Sequence, residues 1–92
     1  MSEKRKAWVR AAAAWMFGTA AMKTTYGNYI FSETDLKFDF GVGAEDVDYL
    51  IDELYRIGEG YLLQVDYYYS EDDEDNVYDL TVSDYYTVGE DE

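Results

Sequence analysis

Cysteine is absent from this chain of 92 residues, and so are histidine and proline. Without thiols there is no disulfide framework, no thiolate nucleophile and no zinc-finger ligand set, a composition that suits a reducing cytoplasm. Without imidazole the commonest general base, the commonest metal ligand and the usual switch near neutral pH are missing. Long apolar runs are also lacking. The longest, from Ala11 to Met22, falls well short of the ~20 residues a membrane span requires, so no membrane partner is expected. Positive charge ends at Arg56: residues 59–92 hold twelve Asp or Glu and no Lys or Arg.

What is present points to a folded domain. Hydrophobic residues make up 48% of the chain and aromatics 18%, too much apolar surface for a disordered protein. We read residues 1–92 as one acidic domain, of a size that removes only about 60 to 65% of its unfolded surface from water. The net charge of −14 works against compaction, and it is unevenly placed. Residues 1–23 carry one acid and five bases, whereas residues 24–92 carry twenty acids and two bases. The basic start either neutralises this chain's own acids or meets a second surface.

Residues 3–22, rich in alanine with Trp8, Val9, Trp15 and Met16, predict a helix that Ser2 can cap. Trp8, Ala12, Trp15 and Thr19 share one side, with Val9, Met16 and Ala20 adjacent, and this stripe is expected in the core. The run Lys4-Arg5-Lys6 followed by alanines also resembles a secretory signal, but Arg10 interrupts it and alanine is only weakly hydrophobic. Tyr26-Gly27-Asn28-Tyr29 suggests a tight turn, and Leu36-Lys37-Phe38-Asp39-Phe40 alternates, so strands are expected near 24–32 and 35–41. Val47, Leu50, Ile51, Leu54 and Ile57 recur at helical spacing until Gly58 and Gly60, predicting a second helix over 44–57. Its outer side presents Glu45, Asp48 and Asp52.

The remainder reads as a hairpin. Tyr61, Leu63, Val65, Tyr67 and Tyr69 alternate onto one face, matched by Tyr78, Leu80, Val82, Asp84 and Tyr86, with residues 71–76 as the connection. The opposite face carries Gln64, Asp66, Tyr68, Asp79, Thr81, Ser83 and Tyr85. The expected architecture is α+β: an N-terminal helix, a small antiparallel sheet of about four strands, a second helix between the strand pairs, and a C-terminal acidic hairpin.

Catalytic and metal chemistry fit poorly. The cluster Glu71-Asp72-Asp73-Glu74-Asp75 lacks the alternate spacing, central glycine and distal Glu of an EF-hand loop, so neither a metal site nor a cofactor is expected. Carboxylate pairs occur by chance among twenty-one acids, and a catalytic pair needs a shaped cleft that a chain this short has little volume to build. Gly41-Val42-Gly43 lacks the remaining residues of a phosphate-binding loop. Ser70 before three acids has the look of a kinase target that arises by chance in acidic sequence.

Acids interleaved with tyrosines suit another role. Carboxylates set against aromatic rings match a cationic, arginine-rich groove, because tyrosine offers contact area at low entropy cost and a face for guanidinium. In size, acidity, lack of cysteine and tyrosine content, residues 33–92 resemble the DNA-mimic inhibitors that bacteriophages deploy against host defence, including anti-CRISPR and anti-restriction proteins. The resemblance is one of composition. It implies a non-enzymatic, stoichiometric inhibitor in the cytoplasm of a bacterial host, a monomer or weak dimer that binds no nucleic acid itself. Its acidic face would block the groove of a cationic DNA-binding protein or defence nuclease complex. The residues expected to meet that partner are Glu45, Asp48, Asp52, Asp66, Tyr68, Glu71, Asp72, Asp73, Glu74, Asp75, Asp79 and Tyr85. An immunity protein or antitoxin against a basic nuclease uses the same physics. A non-inhibitory assembly protein, docking through its basic tryptophan-bearing helix, is the third reading.

Overall fold

Helix α1, Glu3–Lys23, starts where the Ser2 hydroxyl accepts the Arg5 N–H at 3.2 Å, satisfying one of the backbone donors that a helix start leaves open. The computed structural model describes residues 2–23 and 28–84. The remaining elements are β1 (Tyr29–Ser32), α2 (Glu33–Phe40), a 3-10 turn (Ala44–Asp46), α3 (Val47–Ile57), β2 (Tyr61–Ser70) and β3 (Asp75–Asp84). The class is α+β as expected. Among the described residues, however, the sheet has three strands, all antiparallel in the order β1-β3-β2, and not four.

The strand expected over 35–41 is a helix, because local capping overrides the alternating pattern. Ser32 accepts the Asp35 N–H at 3.0 Å, Glu33 and Asp35 sit in the first turn, and Gly41 closes the last turn at φ 72 with its N–H on the Leu36 and Lys37 carbonyls. A left-handed residue at that end favours glycine. Of the alternating apolar residues, Leu36 is buried while Phe38 is 89% exposed, so the strand-like spacing is not used.

The core lies between the inner face of the sheet and the helices. Val9, Ala12, Ala13, Met16 and Ala20 of α1 meet Leu36, Leu50 and Leu54 from α2 and α3 and Phe31, Tyr78, Leu80 and Val82 from the sheet. The buried stripe of α1 is thus rotated from the one expected, leaving Trp8 and Trp15 40% and 46% exposed. Alanines allow α1 to approach its neighbours where indoles would hold it off. Trp15 instead fills the flank, its ring edge-on to Phe31 at 5.2 Å and tilted on Phe40 at 5.6 Å.

Both arginines of α1 are used within the chain. Arg5 pairs with Asp46 and with Glu45, and Arg10 reaches Glu53 at 3.6 Å. Asp46 also accepts the buried Gly43 N–H at 3.1 Å, so one carboxylate ties α1 to the start of α3.

Candidate acidic interface

The hairpin register decides which side chains face outward. Leu63 opposes Val82, Val65 opposes Leu80, and Tyr67 opposes Tyr78, all on the core side. The intervening pairs therefore form the outer face: Gln64 with Thr81, Asp66 with Asp79, and Tyr68 with Val77. Strand β1 extends this face through Ile30, opposite Asp79, and Ser32, opposite Val77. The parity read from the sequence holds along both strands. Burial departs from this parity at Val77, fully buried on the outer row, and at Tyr61 and Tyr69, exposed at the ends of the inner row.

Asp66 and Asp79 are direct cross-strand partners. Like charges in that relation destabilise a sheet. The Val65 N–H is engaged by the Tyr55 hydroxyl oxygen at 3.2 Å rather than by the ladder. Asp66 and Asp79 thus fall in a hydrogen-bonded pair, with Cα atoms about 5.5 Å apart. No described ion pair includes either residue. Their neighbours offer only neutral donors: Tyr68 donates its hydroxyl to Asp79 and Gln64 donates its amide N–H to Asp66, both at 3.2 Å. Partial burial, then the charges of Asp79, Asp73 and Asp66, push the Tyr68 phenol above its ordinary range. Three carboxylates, two from the strands and one from the tip, thus act on one phenol.

The tip is a four-residue turn, 71–74, with all four side chains exposed. The Ser70 hydroxyl accepts the Asp73 N–H at 3.3 Å, and Glu74 takes the left-handed conformation at φ 53. Glu71, Asp72, Asp73 and Glu74 project from this turn without a described counter-ion.

The other expected interface residues separate into distinct groups. Asp75 is a structural anchor: its carboxylate accepts the Thr34 N–H at 3.0 Å in the first turn of α2 and the Asn76 N–H at 2.8 Å. Hydrogen bonds from Thr34 hold its carboxyl below the usual range. Glu45 is exposed but paired with Arg5 at 3.0 Å. Asp48 and Asp52 are exposed on α3, whose Leu50 and Leu54 pack into the same core as Leu80 and Val82. Tyr55, three residues after Asp52 on the same side of α3, meets the β2 edge at Val65, beside Asp66. Tyr85 lies outside the described residues.

Sequence reasoning passed over Asp46 and Glu53, the two buried acids among the described residues. The signal was present, because both fall in phase with Leu50, Leu54 and Ile57 on the apolar stripe of α3. Glu53 is held by Arg56 at 2.7 Å and by Arg10, and Arg56 above all keeps its carboxyl below the ordinary range. It also missed the hydroxyl of Tyr67, which donates to Glu33 on the core side.

Among the described residues no group of three or more Asp or Glu is placed to hold a metal ion, and no helix is long and apolar enough to cross a membrane. Comparison with protein-family models, with curated proteins and with solved structures returned no match.

Proposed function

We propose that this chain is a stoichiometric inhibitor that works as a DNA mimic. The outer face of the β2–β3 hairpin and its tip occupy the cationic groove of a bacterial defence nuclease complex or a related DNA-binding protein. The observation that carries the reading is the Asp66–Asp79 juxtaposition: two carboxylates directly opposite one another on an exposed face, with no Lys or Arg paired to either among the described residues. Such an arrangement costs the free protein stability and is relieved when a partner supplies the positive charge. A groove that binds DNA presents Lys and Arg against closely spaced phosphates and draws much of its affinity from that charge. Asp66, Asp73 and Asp79 meet those bases, Tyr68 offers its ring to a guanidinium, and Glu71, Asp72 and Glu74 steer the approach. Asp75 and Glu45 support the fold instead. No bond is made or broken and no cofactor takes part.

The test has two stages. A protein retained from bacterial lysate by the immobilised chain should be a DNA-binding protein, and its DNA binding should be lost at one equivalent of the inhibitor. Asp66→Lys with Asp79→Lys should abolish both capture and inhibition. A retained protein that still binds DNA at full inhibitor occupancy refutes the mimicry.

A further inference from the structure

Strand β2 is an edge strand: it pairs with β3 along its whole length and, among the described residues, with no other strand. Because Asp66 and Tyr68 exchange their backbone hydrogen bonds with β3, the N–H and C=O groups of Val65, Tyr67 and Tyr69 point the other way, out of the sheet. Val65 donates its N–H to the Tyr55 hydroxyl of α3. The N–H groups of Tyr67 and Tyr69 and the carbonyls of all three have no hydrogen-bond partner among the described residues. An open edge is a template for a further strand, and folded proteins commonly blunt it with lysine or proline. Neither residue occurs in β2. Tyr55 shields the middle of the edge, and the stretch toward the tip, residues 67–70, lies open.

We infer that this open edge docks an extended segment of a protein partner, which adds to the sheet as an antiparallel strand and carries Arg or Lys at every second position. The inference rests on the reading of the outer face as one that meets a cationic partner. A strand laid against β2 runs about 4.8 Å from it and sends alternate side chains to opposite faces. Residues opposite Asp66 and Tyr68 fall on the outer face, where an arginine meets the Asp66 carboxylate and the half-exposed ring of Tyr68. Residues opposite Tyr67 and Tyr69 fall on the inner row and exchange backbone hydrogen bonds with them. Tyr69 is 58% exposed there, and a β-branched neighbour suits it.

Charge selects such a segment over a second copy of this chain. Two β2 edges paired about a two-fold axis would continue one acidic outer face into another. The described outer row, Gln64, Asp66, Tyr68, Val77, Asp79 and Thr81 with Ile30 and Ser32 of β1, contains no base to set against the acids of a second copy. Like charges on neighbouring strands destabilise a sheet, and each chain brings a net charge of −14. A basic strand reverses the sign of every one of those contacts. Its backbone supplies affinity, and its alternate side chains fix which register it takes.

The probe is a short synthetic peptide that alternates arginine with threonine, added to the full isotope-labelled chain at about 0.15 M salt, where screening acts within about 8 Å. At saturation it should slow hydrogen exchange at the Tyr67 and Tyr69 amides by about tenfold or more. The threonine amides are the ones that face β2, so N-methylation of the threonines should weaken binding by about tenfold or more, whereas N-methylation of the arginines, whose amides face away, should be tolerated. Tyr69→Pro removes one outward N–H at an edge position that accepts proline and should weaken binding, while Tyr69→Thr should retain it. A peptide that does not bind, one that binds without protecting Tyr67 and Tyr69, or one indifferent to threonine N-methylation overturns strand addition. The last two results would leave the inhibitor reading standing on charge alone. Strand addition by a chain that blocks no protein's DNA binding would instead refute the inhibitor reading and support the docking site.

Discussion

Replacing Asp66 should make the free protein more stable. The carboxylate faces Asp79 across the hairpin and accepts a single neutral hydrogen bond from Gln64 at 3.2 Å. Two carboxylates about 6 Å apart repel by about 0.7 kcal/mol at the dielectric constant of water and by about 2.8 kcal/mol at an effective value near 20. The pair lies on a solvated face, so the lower end applies, in line with the roughly 0.2 to 1 kcal/mol found for cross-strand pairs. Asp66→Asn should therefore gain about 0.5 kcal/mol. Asp66→Lys, which turns repulsion into attraction, should gain about 1 kcal/mol. In a domain of this size 1 kcal/mol corresponds to about 4 to 8 °C in Tm. Thermal unfolding followed by circular dichroism would resolve both. The gain should shrink as salt approaches about 1 M, where screening acts within about 3 Å. A fall in Tm for either variant, or a gain that ignores salt, would refute the reasoning and remove the argument that this face is held against its own electrostatic preference.

Asp46→Ala should cost about 2 to 3 kcal/mol, because it leaves the buried Gly43 N–H unpaired and releases Arg5 from a nearly buried carboxylate. Urea unfolding would measure it, and a loss below about 0.5 kcal/mol, the size of an ordinary surface change, would contradict the keystone role. Gly58→Ala should destabilise by about 1 to 3 kcal/mol through overpacking, since a methyl group there would lie 2.8 Å from Leu63 Cδ2 and 3.2 Å from Phe17 Cε2. Its Tm should fall, and an unchanged Tm would mean that the α3–β2 junction yields freely. At high pH the fold should weaken, because burial and then Glu33 raise the Tyr67 phenol from 10.0 to about 12. An unfolded tyrosine ionises near pH 10, so this contribution is complete below about pH 10 and lost as pH rises toward about 12. Ultraviolet titration at the phenolate band, with Tyr67→Phe as control, should show a late-ionising amplitude that falls by one tyrosine in the variant.

The elements legible in the sequence are those in which one period runs long enough to dominate. Helix α1, the α3 stripe of Leu50 and Leu54, and the alternation through β2 and β3 all qualify, and the register then places Asp66, Tyr68 and Asp79 outward as expected. Helix α2 has only eight residues, too few for a helical period to outweigh the accidental alternation of Leu36, Phe38 and Phe40. The decisive signal was the cap, Ser32 followed three residues later by Asp35, with Gly41 at the other end. Long-range pairing was beyond any local pattern. That Asp75 would anchor Thr34, or that Glu45 would meet Arg5, depends on segments about forty residues apart in sequence. Reversing Asp75 along with Asp72 and Asp73 would therefore disturb α2 as well as the surface, and the Asp66–Asp79 pair gives the cleaner test of binding.

The unequal distribution of charge along the chain acquires a physical account once the pairs are placed. An acidic protein lowers its self-repulsion most readily by spreading its few bases among its acids. Here Arg5, Arg10 and Arg56 converge on the buried Asp46 and Glu53 and on Glu45 beside them. Burial explains that priority, because a carboxylate inside the fold without a partner costs several kcal/mol, whereas an exposed one loses only a fraction of a kcal/mol by going unpaired. Three of the seven bases thus go to completing the packing of the helices. The hairpin, last in sequence and on the far side of the core, keeps its carboxylates uncompensated. Neutralising it from within would need bases on the outer sheet face itself, where the chain has Gln64, Thr81 and Tyr68. The same division of charge that stabilises the core leaves the surface whose counter-ions a partner would supply.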